Sequence, residues 1–340
     1  MKKHLTALSA GLLVASAAFS QETDIVSVGI DARVDFQHES IDGHTDNSNS
    51  GFEGKYLMLR VDGEIIPGLT YSWRQRFNKT TFDSNFFDST DWLYLDYAID
   101  RWHFQAGKEI VMIGGYEYDR NPKDLYSCSV FLNNIPCYDM GVSAGFDVTS
   151  NDRLSFQVTQ SPFFTRENRN MYSYNLMWSG HHGIYESLFS ANMIEYAKGR
   201  YINYIALGNK FSFDKFVLEL DYMNRAASGQ TFFFKDCTVM GELAYNPTDR
   251  WRVHVKGTYD RNATHTDKDY TVYAGTSLKM VGGGVEFYPL LHRRHTLRLH
   301  ANLYYAWGHN TNTADVMQDK SLFVSAGLTW HFNAFSLKHK

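Results

Sequence analysis

Apolar and polar residues alternate in segment after segment of this chain, and almost no stretch after Gln21 carries the period of a helix. In residues 25–38, Val26, Val28, Ile30, Ala32, Val34 and Phe36 share one face, while Ser27, Asp31, Arg33 and Asp35 share the other. In residues 52–66, Leu57, Leu59, Val61 and Ile65 oppose Arg60, Asp62 and Glu64. In residues 251–261, Val253 and Val255 oppose Arg252, His254 and Lys256; in residues 295–307, Leu297, Leu299, Ala301 and Leu303 oppose Arg298, His300 and Asn302. Leu322, Val324, Ala326, Leu328, Trp330 and Phe332 form an unbroken apolar face in residues 321–332. A period of two is that of an extended strand with two different surroundings.

Segments of this kind occur at 25–38, 52–66, 68–78, 90–99, 101–109, 139–149, 153–162, 171–180, 184–196, 201–213, 216–227, 237–246, 251–261, 278–289, 295–307 and 321–332. They amount to about sixteen strands, an even number, as single-chain bacterial barrels have. The segments at 184–196 and 201–213 alternate poorly; residues 270–277 either extend the fourteenth strand or form a hairpin of their own.

The connections sort by parity. Every second one is short and rich in turn residues: Ile66-Pro67-Gly68, Asp100-Arg101, Ser150-Asn151-Asp152, Gly180 to Gly183, Asp214-Lys215 and Asn246-Pro247-Thr248-Asp249. Those between them are mostly longer and more polar, at 39–51, 79–89, 110–138, 163–170, 228–236, 262–277 and 308–320; the link at 197–200 is the exception. Short turns at one rim and long loops at the other describe a transmembrane barrel. Trp92, Trp102, Trp178, Trp251, Trp307 and Trp330 fall near strand ends, the level at which an indole meets lipid headgroups, and Trp73 falls mid-strand.

Backbone in hydrocarbon must be fully hydrogen-bonded, and among β structures only a closed barrel achieves this. One charge on the lipid face at mid-depth costs roughly 2–4 kcal/mol, and the apolar faces above carry none at their centres. The charged faces must therefore border water, and sixteen strands enclose an aqueous channel where eight would be filled by side chains. Alternation places Arg74, Arg76, Arg252, Lys256 and Arg298 inward with His254 and His300, together with Asp31, Asp35, Asp62, Glu64, Asp96, Glu219, Asp221 and Glu242. This lumen is mixed, without an unbroken arginine ladder. The charges either merely hydrate a wide pore, or a basic strip from the third, thirteenth and fifteenth strands faces an acidic one and sets a transverse field. Tyr and Phe of the long loop offer a third use, a stacking track for sugars.

Lys2 and Lys3 followed by the apolar run from Leu5 to Phe19, with Ala18-Phe19-Ser20 as a cleavage site, read as a signal peptide over residues 1–20, leaving 21–340 as the barrel domain. Without Lys2 and Lys3 the formal charge of -4 falls to about -6, which argues against a nucleic-acid partner. No other apolar run is long enough for a membrane helix. In an exported chain Cys128 and Cys137 form either a disulfide within one loop or two free thiols, and Cys237 is left over. No GxSxG, P-loop, HExxH or EF-hand pattern occurs, so no enzyme, cofactor or metal is expected. Gly282-Gly283-Gly284 precedes no helix and reads as a bend or bulge in a strand. His292-Arg293-Arg294-His295 reads as a solvated basic turn.

Two resemblances add to this. Ser325-Ala326-Gly327-Leu328-Thr329-Trp330-His331-Phe332 is similar to the insertion signal of outer-membrane barrels, with a tail from Asn333 to Lys340 as a departure. Gly51-Phe52-Glu53-Gly54-Lys55-Tyr56 to Gly63, Leu69 to Phe77, Asp91-Trp92-Leu93-Tyr94-Leu95-Asp96-Tyr97 and Phe104-Gln105-Ala106-Gly107-Lys108-Glu109 resemble the early strands of the phosphate-selective porin O and P family. The resemblance implies a sixteen-stranded, trimeric channel of the bacterial outer membrane whose long loop after the fifth strand folds into the lumen. Residues 110–138 hold that place, with Glu117, Arg120, Lys123 and Asp124 as constriction residues.

The expectation is thus an all-β transmembrane antiparallel barrel that lets small polar or charged solutes, anions such as phosphate among them, diffuse across the outer membrane. Its partners are membrane lipid, those solutes and further copies of itself. The alternative is a non-conducting barrel with an adhesive or envelope-structural role, marked by a plugged lumen.

Overall fold

Alternating side chains at a lipid–water boundary become the two faces of one closed sheet. The computed structural model describes residues 24–79, 86–165, 167–230, 233–265, 268–294, 296–313 and 317–338; the expected signal peptide lies outside the described residues. The barrel strands are β1 (Asp24–Ile41), β2 (Gly51–Ile66), β3 (Leu69–Arg76), β4 (Thr90–Ile99), β5 (Trp102–Ile110), β6 (Tyr138–Asp147), β7 (Asp152–Gln160) and β8 (Tyr172–His182). The second half comprises β9 (Tyr185–Ala197), β10 (Arg200–Phe213), β11 (Phe216–Ala227), β12 (Asp236–Thr248), β13 (Trp251–Asn262), β14 (Ser277–Phe287), β15 (Leu297–His309) and β16 (Ser321–Lys338). Each pairs antiparallel with its sequence neighbours, and β1 closes the ring on β16 from Asp24↔Lys338 to Ile41↔Ser321. Closure leaves no edge of unpaired backbone. A two-residue bridge, His44–Thr45, sits in the first loop.

The faces follow the sequence. Val34 and Phe36 are exposed on the outer wall, while Arg33, Asp35 and Gln37 between them are buried inside. Val253 and Val255 are exposed outside, and His254 and Lys256 buried within. Trp102, Trp178 and Trp251 face outward near the short-turn rim, Trp307 near the other.

Four expectations are corrected. Trp92 is not part of an outer girdle: it points inward, 8% exposed, and donates its indole N–H to Ser72 Oγ at 2.8 Å. Trp92 keeps the inward parity of Tyr94 and Asp96, between which the outward Leu93 and Leu95 fall, and the bulge between Trp92 and Thr90 lets Asp91 turn inward beside it. The expected tail at Asn333 is strand, because residues 333–338 pair with the start of β1. Residues 270–276 lie outside the strands altogether. Gly282 to Gly284 form no bulge, since both neighbouring registers run through them unbroken. A Cβ at Gly282 would meet Tyr304 Cδ1 at 2.3 Å, and one at Gly284 would meet Asn302 Oδ1 at 2.0 Å, so these glycines make room for inward side chains of β15.

Candidate functional site

The connection between β5 and β6 folds back inside the barrel. It contains α1 (Tyr116–Asp119), a 3-10 turn at Pro122–Asp124 and α2 (Val130–Asn134). Polar residues side by side on three neighbouring strands of the inner wall seat its entry. Gln157 accepts from Met112 N at 2.7 Å and donates to Ile110 O; Asn192 donates to Met112 O; Asn175 bridges Gln157 and Asn192; Ser190 accepts from Gly114 N at 2.8 Å.

Both short helices begin against a wall carboxylate. Asp221 accepts from Tyr116 N and Glu117 N at 2.9 and 2.8 Å, and Asp260 accepts from Val130 N and Phe131 N at 2.9 and 3.3 Å. These N–H groups have no partner within a helix's first turn, so the wall supplies what the loop cannot. The underside of the loop is apolar. Val111, Ile113, Tyr118, Val130, Phe131 and Ile135 pack on Ile194, Ile202, Tyr204, Met223, Leu278 and Met280 of β9–β11 and β14. This explains the poor alternation of the ninth and tenth segments: their inner faces meet a greasy loop rather than water.

Ion pairs stitch the loop's charged edge to the wall. Arg120 pairs with Glu219 and, at 2.6 Å, with Glu242; Lys123 pairs with Asp31; Arg298 pairs with Asp124 at 2.7 Å; Lys256 pairs with Glu117 at 2.6 Å. Arg252 reaches Glu242 at 3.1 Å and Glu286 at 3.8 Å. Arg33 binds Asp35 and donates to the carbonyls of Lys123 and Leu125, and Tyr126 donates to Glu286 at 2.8 Å. The space left here is a cavity of about 10 Å³ lined by Arg120, Glu242, Arg252, His254, Lys256 and Glu286, room for about one water.

The structure therefore brings the expected inward residues of β11–β15 together with the loop, but as matched pairs. Each cation of the basic strip on the thirteenth and fifteenth strands has a carboxylate partner. Asp221 and Glu117 face the seam between loop and wall. His254 meets Tyr304 Oη at 3.0 Å and His300 meets Asp35 at 2.9 Å. Glu64 accepts from Gly68 N in a short turn, and Asp96 is half-buried on β4.

The opposite wall differs. The side chains of Arg60 and Asp62, paired at 2.6 Å, are 49% and 34% exposed, so solvent reaches the inner face of β2. Near the outer end of β3, Arg74 and Arg76 each bind the buried Asp91 at 2.9 Å, with Lys79 Nζ at 3.8 Å. Arg74 also lies 3.6 Å from the centre of the Trp92 ring and donates to Tyr138 Oη. Among the described residues these three cations share one carboxylate, and the Lys79 side chain is 48% exposed.

Sequence reasoning missed Asp91, Trp92, Tyr126, Asp260 and the Gln157–Asn175–Asn192 row. The row was findable only as inward amides at matching depth on three neighbouring strands, which needs the register; the others depend on contacts across the lumen. Cys128, Cys137 and Cys237 are free thiols. Burial pushes Cys128 up to about 12 and Cys137 up to about 11, which leaves both as unreactive thiols at neutral pH. Among the described residues no group of three His, Cys, Asp or Glu is placed to hold a metal ion.

The sequence model of a family described as phosphate-selective porin O and P matches residues 26–236. No curated protein matches the chain. Among solved structures, the anion-selective porin from Comamonas acidovorans is similar with a TM-score of 0.65 and 11% identity, covering 90% of this chain and 99% of that one. The outer membrane channel DcaP of Acinetobacter baumannii gives 0.66 and 11%, covering 90% and 96%. A trimer form of OmpT, an outer membrane protein of Vibrio cholerae, gives 0.60 and 12%, covering 91% and 100%. At such identities these neighbours speak for the fold.

Proposed function

Because the chain belongs to the phosphate-selective porin O and P family, and with it to the channels of the bacterial outer membrane, we propose that small polar and charged solutes cross by diffusion between the in-folded loop and the β2–β5 wall, where anions meet Arg76 and Lys79. The observation that carries this reading is the uneven charge matching. Cations around the loop have carboxylate partners, whereas among the described residues Arg74, Arg76 and Lys79 share Asp91 alone, a local excess of two positive charges among those residues. Glu64 and Asp96 moderate that excess further along the path, while Glu219 and Asp124 are taken up by Arg120 and Arg298, which favours general diffusion with a modest anion preference over a dedicated phosphate relay. Arg120, Lys123, Arg252, Lys256, Arg298, Glu117 and Asp221 act in this reading by holding the constriction loop, with His254 and His300 as neutral spacers. A homotrimer belongs to the same reading and is checked by cross-linking in membranes.

The test is the reversal potential in a potassium chloride gradient. Arg76→Gln with Lys79→Gln removes the two excess charges and leaves the Arg74–Asp91 pair intact. A unit charge about 6 Å from a permeating ion in water is worth about 0.7 kcal/mol, so the chloride-to-potassium permeability ratio should fall roughly threefold to tenfold at low salt and less at high salt. An unchanged ratio would sink the anion assignment, and strong phosphate block of the chloride current in the unaltered channel would replace general diffusion by phosphate selection.

Acid should act in the opposite direction. Burial pushes the carboxyl of Asp119, in the in-folded loop, up to about 6, with Glu219 and Glu186 adding to the shift and Lys210 opposing it. The folded chain holds this proton more tightly than the unfolded chain, so its contribution to stability fades as pH rises from about 4 through 6. Moving the bath from pH 7.5 to 5 is expected to remove a negative charge beside the loop and raise anion preference. Asp119→Asn should show that preference already at pH 7.5 and respond less to acid; an identical titration in the variant would exclude the residue.

A further inference from the structure

We propose that the outer rim of the barrel wall over β13–β15 docks the phosphorylated headgroup of an outer-leaflet lipid, with Lys279 and Arg261 as the cations and Tyr259 and Trp307 as flanking rings. Strand register places Tyr259, Lys279 and Trp307 side by side in one row, and Arg261 opposite Ser277 in the row above. All belong to the outward parity of their strands. Leu278 and Met280, on either side of Lys279, are buried inside, as are Asp260 and Asn262 on either side of Arg261. Lys279 itself is exposed, and its ammonium lies 5.6 Å from the centre of the Tyr259 ring.

The depth of the row is set by the strand. Eight residues separate Trp251, in the girdle near the short-turn rim, from Tyr259. At about 3.4 Å per residue and a tilt of about 40°, this is roughly 21 Å along the membrane normal, close to the height of an apolar band. Tyr259 and Trp307 therefore stand in the outer girdle, at the level of headgroups, with Arg261 just beyond it.

Charges on the outer wall of a barrel need a reason. No carboxylate pairs with Lys279 or Arg261 among the described residues, in contrast to the matched lumen. His309, next along the upper row, is occupied by Asp319 at 3.0 Å. Two unmatched cations on diagonal positions of neighbouring strands, about 7–8 Å apart, with Ser277 directly across from Arg261, complement a phosphate monoester better than a zwitterionic headgroup. The flanking rings would hold the lysine stem against the acyl region below. The inference rests on the barrel lying in the outer membrane, and conductance recorded from the same preparations reports on that premise separately.

Native mass spectrometry of the detergent-folded full chain tests it, with lipid A as the phosphorylated probe and dephosphorylated lipid A and phosphatidylcholine as controls. The unaltered protein should retain lipid A at least tenfold more than either control. Arg261→Gln with Lys279→Gln should abolish that preference without altering single-channel conductance, and Lys279→Arg should keep it. Equal retention of the phosphorylated and dephosphorylated lipids by the unaltered protein overturns the proposal without any variant having to fold. Equal retention of lipid A by the double variant overturns it too. Displacement of lipid A by millimolar inorganic phosphate would assign the patch to a free anion and overturn the lipid.

Discussion

Replacing residues 116–134 by a glycine–serine segment of equal length is expected to raise single-channel conductance several-fold, make it noisier and erase charge preference. The physical reason is the way the loop is held. Its backbone is capped by Asp221 and Asp260, its charged edge is paired to strands around the ring, and its apolar underside lies on the inner wall. A polar segment keeps none of these contacts and cannot hold the lumen closed against β9–β15. The cost appears in stability, since Ile202, Tyr204, Met223 and Met280 would face water, at about 25 cal/mol per Å² of apolar surface. The barrel should still fold, because its backbone pairing and lipid-facing wall do not involve the loop. Planar-bilayer recordings decide the matter: conductance equal to that of the unaltered channel would mean that this loop does not limit flow.

Arg225→Met is expected to be among the most damaging single changes. Arg225 is fully buried on β11 and binds Asp236 at 3.0 Å and Asp269 at 2.6 Å, with Thr238 accepting from its guanidinium at 2.9 Å. Asp269 belongs to the connection between β13 and β14 and caps Thr271 N at 2.8 Å; the same connection supplies the buried Val272 to the apolar cluster under the in-folded loop, and Asn134 donates to Thr271 O. Removing the cation strands two buried carboxylates, a loss of about 3–5 kcal/mol. Arg225→Lys should recover only part of it, because an ammonium lacks the planar fork that serves two acids at once. Urea unfolding of the detergent-folded barrel, followed by the heat-dependent mobility shift on gels, measures the loss. A change below about 1 kcal/mol would show that the pairing is worth no more than an exposed ion pair.

Both expectations concern contacts that cross the lumen, and that is where sequence reasoning thins out. Alternation gave the sixteen strands and their faces, and loop parity gave the two rims, because both report on a single strand and its surroundings. The ninth and tenth segments looked irregular for the same reason: an inner face that meets Val130 and Phe131 cannot be told from sequence by a rule that expects water inside. Trp92 was misplaced because its nearness to a strand end was weighed above the alternation that sets it on the same inward face as Tyr94 and Asp96. The inward charges of β13 and β15 were named correctly as inward, yet their partners Glu117 and Asp124 sit more than a hundred residues away in the chain.

By itself the sequence determined that this chain is a closed ring of amphipathic strands with lipid outside and polar groups within, since a two-residue period at a membrane boundary admits no other arrangement of backbone hydrogen bonds. Only the tertiary structure decided which of the inner charges are matched one to one and which share a single partner among the described residues. Neutralisation depends on distances of a few ångströms between residues that the chain order holds far apart, and those distances are set by how one loop lies across the lumen.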